Sequence, residues 1–257
     1  MSGPPDITLT LVCHREGPLA APALASMRDM VDAALAAGLT IETRAILDCA
    51  DAPTRHSVAA CGAWLDSVEE ISEQDAGLAR NAGVAAAAGE FLAFLDGDDL
   101  WGEDWLRLAH AAATNPGAPA EAIWHPAFLY YFAESDFDRH SSTQAPDPAA
   151  QSFFMVHQSS EDPAFQRDAL LLNNVWSANV FAKRTVYRRV PYVATDWRRG
   201  IGFEDWSWNL KTLSSGIAHL IVPDTVHLIR ARPASLGQQS LVEGLLPVLP
   251  ETFGFKR

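Results

Sequence analysis

The chain is poor in cysteine. Its 257 residues hold three, Cys13, Cys49 and Cys61, scattered and odd in number. That argues against a disulfide framework, offers no metal-binding spacing and points to a reducing compartment. No apolar run approaches the length needed to cross a bilayer. The opening MSGPPD has neither the charged nor the apolar region of a secretory signal. The expected location is the cytoplasm, free or peripheral to the inner face of a membrane. Basic residues are also scarce: 19 Lys and Arg stand against 32 Asp and Glu, for a net charge of −13. That balance argues against general nucleic-acid binding and against docking on an anionic bilayer by charge alone. No internal repeat is visible. What is abundant is apolar residue, 48% of the chain against 20% charged. A sizeable core follows, and the length suits one large α/β domain or a domain with an annex.

Strands and helices alternate along the first hundred residues. Ile7 to Cys13 (ITLTLVC) is β-branched and apolar, which predicts a central strand. Pro22 to Ala37 reads as a helix stopped by Gly38, Thr40 to Leu47 as a second strand, Thr54 to Leu65 as a helix, and Val68 to Ile71 as a short third strand. This order predicts a mostly parallel, Rossmann-like central sheet covered by helices on both faces. Ligands bind such sheets at the carboxyl ends of the strands.

The densest signal is Gly77 to Trp101, GLARNAGVAAAAGEFLAFLDGDDLW. Leu78, Ala82, Ala85 and Ala86 recur at helical spacing, Gly89 ends the helix, and Phe91 to Leu95 reads as a strand buried on both faces. Asp96, Gly97, Asp98 and Asp99 follow at once. Three carboxylates within four residues repel one another at the mouth of a buried strand. A positive partner would neutralise them, and Mg²⁺ or Mn²⁺ suits hard oxygen ligands of this kind. The plainer alternative is an acidic turn capping the helix that starts near Glu103.

The composite resembles family-2 glycosyltransferases of the GT-A fold. It carries Arg80-Asn81-Ala82-Gly83, then Gly89-Glu90-Phe91, then the D-x-D of Asp96-Gly97-Asp98-Asp99. The resemblance runs from about Ile7 to Ser235. It implies a nucleotide-sugar-binding half over residues 1–101 and an acceptor-binding half of the same domain over 102–257. It implies that Asp48, at the end of the second strand, meets the nucleotide base, with Asp51 as the alternative. Arg80 reaches the nucleotide or pairs with a neighbouring carboxylate. Asp98 binds Mn²⁺ or Mg²⁺, and Asp96 touches ribose or metal.

Beyond Trp101, Glu103 to Ala113 is an amphipathic helix and Ala122 to Phe132 a strand broken or bent at Pro126. Glu134 to Asp168, rich in Ser, Asp, Gln and Pro, is too long for an ordinary loop and reads as an insertion looser than the core. Trp176 to Phe181 is expected as a strand, followed by a helical turn from Lys183. Asn173, Asn174 and Trp176 form a polar-aromatic cluster.

Gly200 to Leu210 holds two glycines, then Glu204 and Asp205 at the start of a helix that carries Trp206, Leu210 and Leu213 on one face. An acidic pair at a helix start is ordinary in itself. The family resemblance implies more: Asp205 as the catalytic base of an inverting enzyme, and Glu204 orienting the acceptor or holding the loop. Ile217 to Val222 is a strand, and a last one runs to Arg230. By the same resemblance His227 completes the metal site, while Arg230 or Arg232 faces the pyrophosphate. Leu241 to Arg257 is a tail with scope for an amphipathic helix and a homo-oligomer contact.

The expected function is metal-dependent transfer of a hexose from a nucleotide-diphosphate-sugar to a hydroxyl on a sugar, lipid-linked or small-molecule acceptor, with inversion. One rival is a nucleotidyltransferase, but the first strand is followed by CHREGPL, with a single glycine, where such an enzyme would carry a glycine-rich basic loop. The other is a nucleotide-sugar-binding module without catalysis.

Overall fold

The computed structural model describes residues 3–133, 136, 151–232, 235–251 and 253. Four parallel strands form the first part of the sheet: β1 (Ile7–Cys13), β2 (Ile41–Asp48), β3 (Ser67–Ile71) and β4 (Phe91–Asp96), in the order β3-β2-β1-β4. Ile7 stands opposite both Ile41 and Phe91, so β1 is central. The connecting helices are α1 (Ala20–Ala36), α2 (Ala52–Cys61) and α3 (Ala76–Ala86), each within a few residues of its expected place. Side chains alternate across the sheet. Ile7, Leu9, Leu11, Phe91, Ala93 and Leu95 pack against Leu24 and Met27 of α1. Leu92 and Phe94 pack on the opposite face, with Val84 of α3.

The order places β1 and β4 side by side although two strands separate them in sequence. Their carboxyl ends, Cys13 and Asp96, open the crevice in which the site forms. Gly83 of the Arg-Asn-Ala-Gly motif lets α3 lie close to the sheet. A Cβ there would stand 2.8 Å from a ring carbon of Phe94.

The rest of the chain extends the same sheet with mixed directions. The two-residue β5 (Leu100–Trp101) is followed by α4 (Trp105–Thr114), whose Trp105 and Leu106 join the α1 face. Then come β6 (Ala122–Phe132), β7 (Phe153–Val156), β8 (Phe181–Lys183), α5 (Arg184–Arg189), α6 (Glu204–Ser214), β9 (Ala218–Arg230) and α7 (Leu236–Val242). The sheet continues from β4 through β8, β6 and β9 to β5, with β7 beside β6. Strand β8 runs antiparallel to both β4 and β6, whereas β6 and β9 are parallel. No helix among the described residues is long and apolar enough to cross a membrane.

Four expectations change. The strand expected over Trp176 to Phe181 begins only at Phe181, because Ser177 and Asn179 bond to side chains rather than to a neighbouring strand. The two C-terminal strands are one, β9, turned at Asp224 with φ +59°. The last helix ends at Val242, before most of the tail, and Leu246 instead pairs with Ile201. In the expected insertion, residues 134–135 and 137–150 lie outside the described residues. Its second part is ordered onto the sheet: β7 pairs with β6, and His157 is buried with Nδ1 bonded to Pro126 O at 2.7 Å. Pro126 itself marks a register shift, not a break.

Candidate active site

Strand β4 delivers three carboxylates to the crevice, and each has a different partner. The chain turns at Gly97 against the end of β1, where a Cβ would meet Cys13 Sγ at 2.6 Å, so only glycine fits between the aspartates. Asp96 Oδ1 accepts from Arg80 Nη2 at 2.7 Å. Asp98 pairs with Arg232. Asp99 turns inward: its Oδ1 accepts from the Arg230 backbone N–H at 3.0 Å, and its Oδ2 lies 3.0 Å from His227 Nε2. The Asn179 carboxamide completes this buried group, 2.9 Å from the same histidine nitrogen.

Burial raises the carboxyl groups here. Asp98 is pushed up to about 7 by burial and then by Asp99, with Arg232 pulling the other way. Asp99 is raised well above the ordinary carboxylate range by burial and Asp96. Glu16, after β1, is raised by burial and by Asp98. Burial thus favours the neutral form of these carboxyls, and their mutual repulsion adds to it.

Arg80 joins the D-x-D turn to the second acidic motif. It is buried, and its other nitrogen, Nη1, donates to Glu204 Oε1 at 2.7 Å, from α3 to the first turn of α6. Burial opposes the guanidinium charge, but Asp96 and Glu204 outweigh it and hold the pKa above its usual value. Beside Glu204, Asp205 is pushed up to about 7 by burial and by Glu204, with Arg80 acting against them. Its Oδ1 accepts the Trp206 N–H at 2.7 Å and its Oδ2 the Asn174 carboxamide N–H at 2.8 Å. Tyr131 on β6 faces the same space, its phenol raised to about 12 by burial and then by the charges of Asp205 and Asp99.

The sequence-predicted residues thus fall into four groups. Asp96, Arg80, Glu204 and Asp205 come together, with Arg80 in the carboxylate-paired alternative and not on an open surface facing a nucleotide. Asp98 stands beside Arg232. Arg230 and His227 lie deeper than expected. Arg230 is buried, donating from Nε to Asp98 O at 3.2 Å and stacked 4.7 Å over Phe132, so Arg232 is the arginine at the Asp98 carboxylate. The His227 ring is buried, stacked on Trp101 at 4.4 Å and turned to Asp99, not Asp98; burial lowers it to about 3, which keeps it neutral. Asp48 accepts three backbone N–H groups, from Glu73, Gln74 and Asp75, which leaves its carboxylate about one acceptor position. Asp51 caps α2 through Thr54.

Asp99 as a hub and Asn179 as its partner escaped the sequence reading, since nothing local marks a residue that meets partners 80 and more positions away. Asp75 escaped it too. Its Oδ1 caps α3 at Leu78, and its Oδ2 accepts from Thr195 N and Oγ1, both at 2.7 Å.

The carboxylates at the end of β4 suit a divalent ion. Asp98, raised by burial and then by Asp99, and the partly exposed Asp96 offer hard oxygens of the type Mg²⁺ and Mn²⁺ take, with substrate phosphates and water supplying the remainder. The His227 ring meets Asp99 and Asn179 through Nε2, and its Nδ1 is buried without a partner. Among the described residues no group of three or more His, Cys, Asp or Glu is arranged to hold a metal.

The fold is that of solved GT-A structures. Residues 1–349 of TarS from S. aureus align with TM-score 0.55 at 13% identity, over 92% of this chain and 65% of that one. The mannosyltransferase PcManGT from Pyrobaculum calidifontis, solved with GDP-Man and Mn²⁺, aligns with TM-score 0.56 at 15% identity, over 95% of this chain and 64% of that one. Glucosyl-3-phosphoglycerate synthase from Mycobacterium tuberculosis, solved with Mn²⁺, UDP and glucosyl-3-phosphoglycerate, gives 0.56 at 14%, over 93% and 78%. The chain spans 65%, 60% and 39% of three TarS structures, so it matches only part of those proteins. No curated protein matches it. The family model of Glycosyl transferase family 2 matches residues 13–176, more than half of the chain. The protein belongs to that family.

Proposed function

We propose that this chain is an inverting glycosyltransferase that moves a sugar from a nucleoside-diphosphate sugar to an acceptor hydroxyl. The observation that carries the reading is the Arg80 bridge. It fixes Asp96 of the D-x-D turn and Glu204 of the helix-start pair on one guanidinium, so the nucleotide end and the acceptor end of the crevice are held at a set separation. The solved structures with GDP-Man or with UDP-GlcNAc support a nucleotide-sugar donor.

The diphosphate lies over Asp96 and Asp98 at the carboxyl ends of β1 and β4. Asp98, with Asp96, would hold Mn²⁺ or Mg²⁺, which when bound supplies Lewis-acid neutralisation of the departing diphosphate. Arg232, which rests on Asp98, turns its charge to the phosphates. Asp48 offers its remaining lone pair to the base. Across the crevice Asp205 takes the proton from the acceptor hydroxyl as that oxygen attacks the anomeric carbon. A carboxylate raised to about 7 is a stronger base than a free one, yet it still ionises near neutral pH. Glu204 holds Arg80 and, through it, the orientation of the α6 start.

The test is a melting-temperature screen of UDP, GDP and their sugars with Mn²⁺ or with EDTA, followed by the anomeric configuration of the product of any donor that binds. No stabilisation by any nucleotide would sink the donor assignment. A retained configuration would sink inversion.

A further inference from the structure

The segment that leads into β8, with the polar Asn174 and part of the expected strand, has a different task. Between the 3-10 turn at Arg167–Leu171 and β8 the chain carries Asn174 and Asn179, and each carboxamide reaches one of the two acidic sites. Asn179 lies with Asp99 and His227, behind the D-x-D turn. Asn174 lies on Asp205.

An ionised carboxylate only accepts hydrogen bonds, so Asn174 must present its NH₂ group to Asp205. That turns Asn174 Oδ1 away, onto Asn209 Nδ2 at 2.9 Å. Asn209 is buried on α6, one helical turn beyond Asp205. The result is a closed loop of side chains: Asn209 sets the amide of Asn174, and Asn174 sets Oδ2 of Asp205. The backbone is pinned by a separate bond, since Trp206 Nε1 donates to Leu170 O at 2.7 Å. Asp205 thus has one donor on each oxygen and keeps a further acceptor position on each.

We propose that Asn174, oriented by Asn209, is the positioning residue of Asp205: it fixes the rotation of the carboxylate and stabilises its ionised form, so that a free lone pair stands ready for the acceptor hydroxyl. This rests on the reading of Asp205 as the base. The charged and titratable groups facing Asp205 are Glu204 on its own helix, Arg80 of α3, Asp96 of β4, Tyr131 of β6 and Tyr192 from the segment before α6. None of them is altered by a change at Asn174, so a shift in Asp205 reports the lost donor.

The experiment is a ¹³C carboxyl NMR titration of aspartate-labelled protein, with the Asp205 signal identified by its loss in Asp205→Asn. In Asn174→Ala the titration midpoint of Asp205 should rise by roughly one pH unit, the worth of a hydrogen bond to a charged group. In Asn209→Ala it should rise less, and in Asn174→Gln, which restores a carboxamide, it should return toward the wild type. With a donor sugar that is hydrolysed, the acid limb of kcat in Asn174→Ala should move with the NMR midpoint while KM for the donor stays within about twofold, since the binding end of the crevice is untouched. An unmoved midpoint in folded Asn174→Ala overturns the proposal; should that variant fail to fold, an unmoved midpoint in Asn209→Ala does so. A moved midpoint together with near-normal turnover by Asp205→Asn would leave the positioning intact and overturn the base assignment instead.

Discussion

Strands β1 and β4 meet their helices mostly through aliphatic and aromatic carbon, whereas β6 and β9 carry polar rings into an interior just as closed. His125 and His219 are fully buried, 2.9 Å apart, with His219 bonded onward to Thr212 of α6 and His157 packed edge-on against His125. His227 and Asn179 do the same beside Asp99. The first region is held by non-directional burial, which tolerates small shifts. The second is held by directional bonds between groups that are expensive to leave unpaired. The D-x-D turn draws on both: Asp96 ends the carbon-packed β4, while Asp99 is held in the polar group with His227 and Asn179.

The largest effect should come from the acceptor end. Asp205→Asn keeps size and one of the two hydrogen bonds but removes the proposed base, so turnover should fall by roughly two to four orders of magnitude. Nucleotide binding by calorimetry should stay within about twofold. A rate near the wild type would break the division between the two ends.

Arg80→Met tests the bridge between them. It leaves Glu204 buried without its partner, and urea unfolding should show a loss of about 3–5 kcal/mol. A loss under about 1 kcal/mol would mean that the two acidic sites hold their places without Arg80.

Next comes the nucleotide. A bound nucleoside diphosphate at a hundred times its Kd should stabilise the protein by about 2.7 kcal/mol. With EDTA, or in Asp98→Asn, most of that gain should disappear. Equal melting shifts with and without metal would remove the ion from the site.

Acid should act with opposite sign on the buried histidines and on the raised carboxyls. His157 and His219 are lowered to about 4 and about 3 by burial, and His125 is lowered as well. The unfolded chain takes these protons near pH 6.5 and the folded chain refuses them, so their contribution is whole above that pH and is lost as pH falls toward 4. Asp98, raised to about 7, acts oppositely: between pH 7 and about 4 the folded chain holds a proton that the unfolded chain has released, so stability rises as pH falls. Melting curves from pH 8 to 4 should therefore show a steeper acid loss in Asp98→Asn than in the wild type. Parallel curves would contradict the opposition.

The smallest effect belongs to an arginine of the other kind. Arg55 pairs with Glu70 on the surface, both side chains about half exposed. Arg55→Ala should change stability by less than about 0.5 kcal/mol, the usual worth of a solvated pair.

The sequence disclosed the first region well because its physics is periodic. ITLTLVC and FLAFL are apolar runs of strand length, and Asp96 to Asp99 stand where β4 ends. The Glu204-Asp205 pair was legible for the same reason, at the start of a helix with an apolar face. The polar interior was not. Asn179, His219 and Asp99 acquire their surroundings only when β6, β8 and β9 are laid side by side, and hydrogen bonds across 48 to 131 positions leave no period to read. His227 was placed only by the family resemblance, and its bond to Asp99, 128 positions away, has no local mark.

Strand β8, three residues long, sits between β4 and β6 and carries a consequence for synthesis. When the ribosome has made the first hundred residues, β1 to β4 and their helices can pack, but the outer edge of β4 has no neighbour. That edge is FLAFL, apolar on both faces, and an uncovered strand of this kind is an open template for another chain. Phe181, Ala182 and Lys183 cover it only some eighty residues later, a delay of about 4–16 seconds at ordinary elongation rates. A chain truncated after Trp101 would keep that edge permanently, and would sooner stack on its own copies than persist as a free unit.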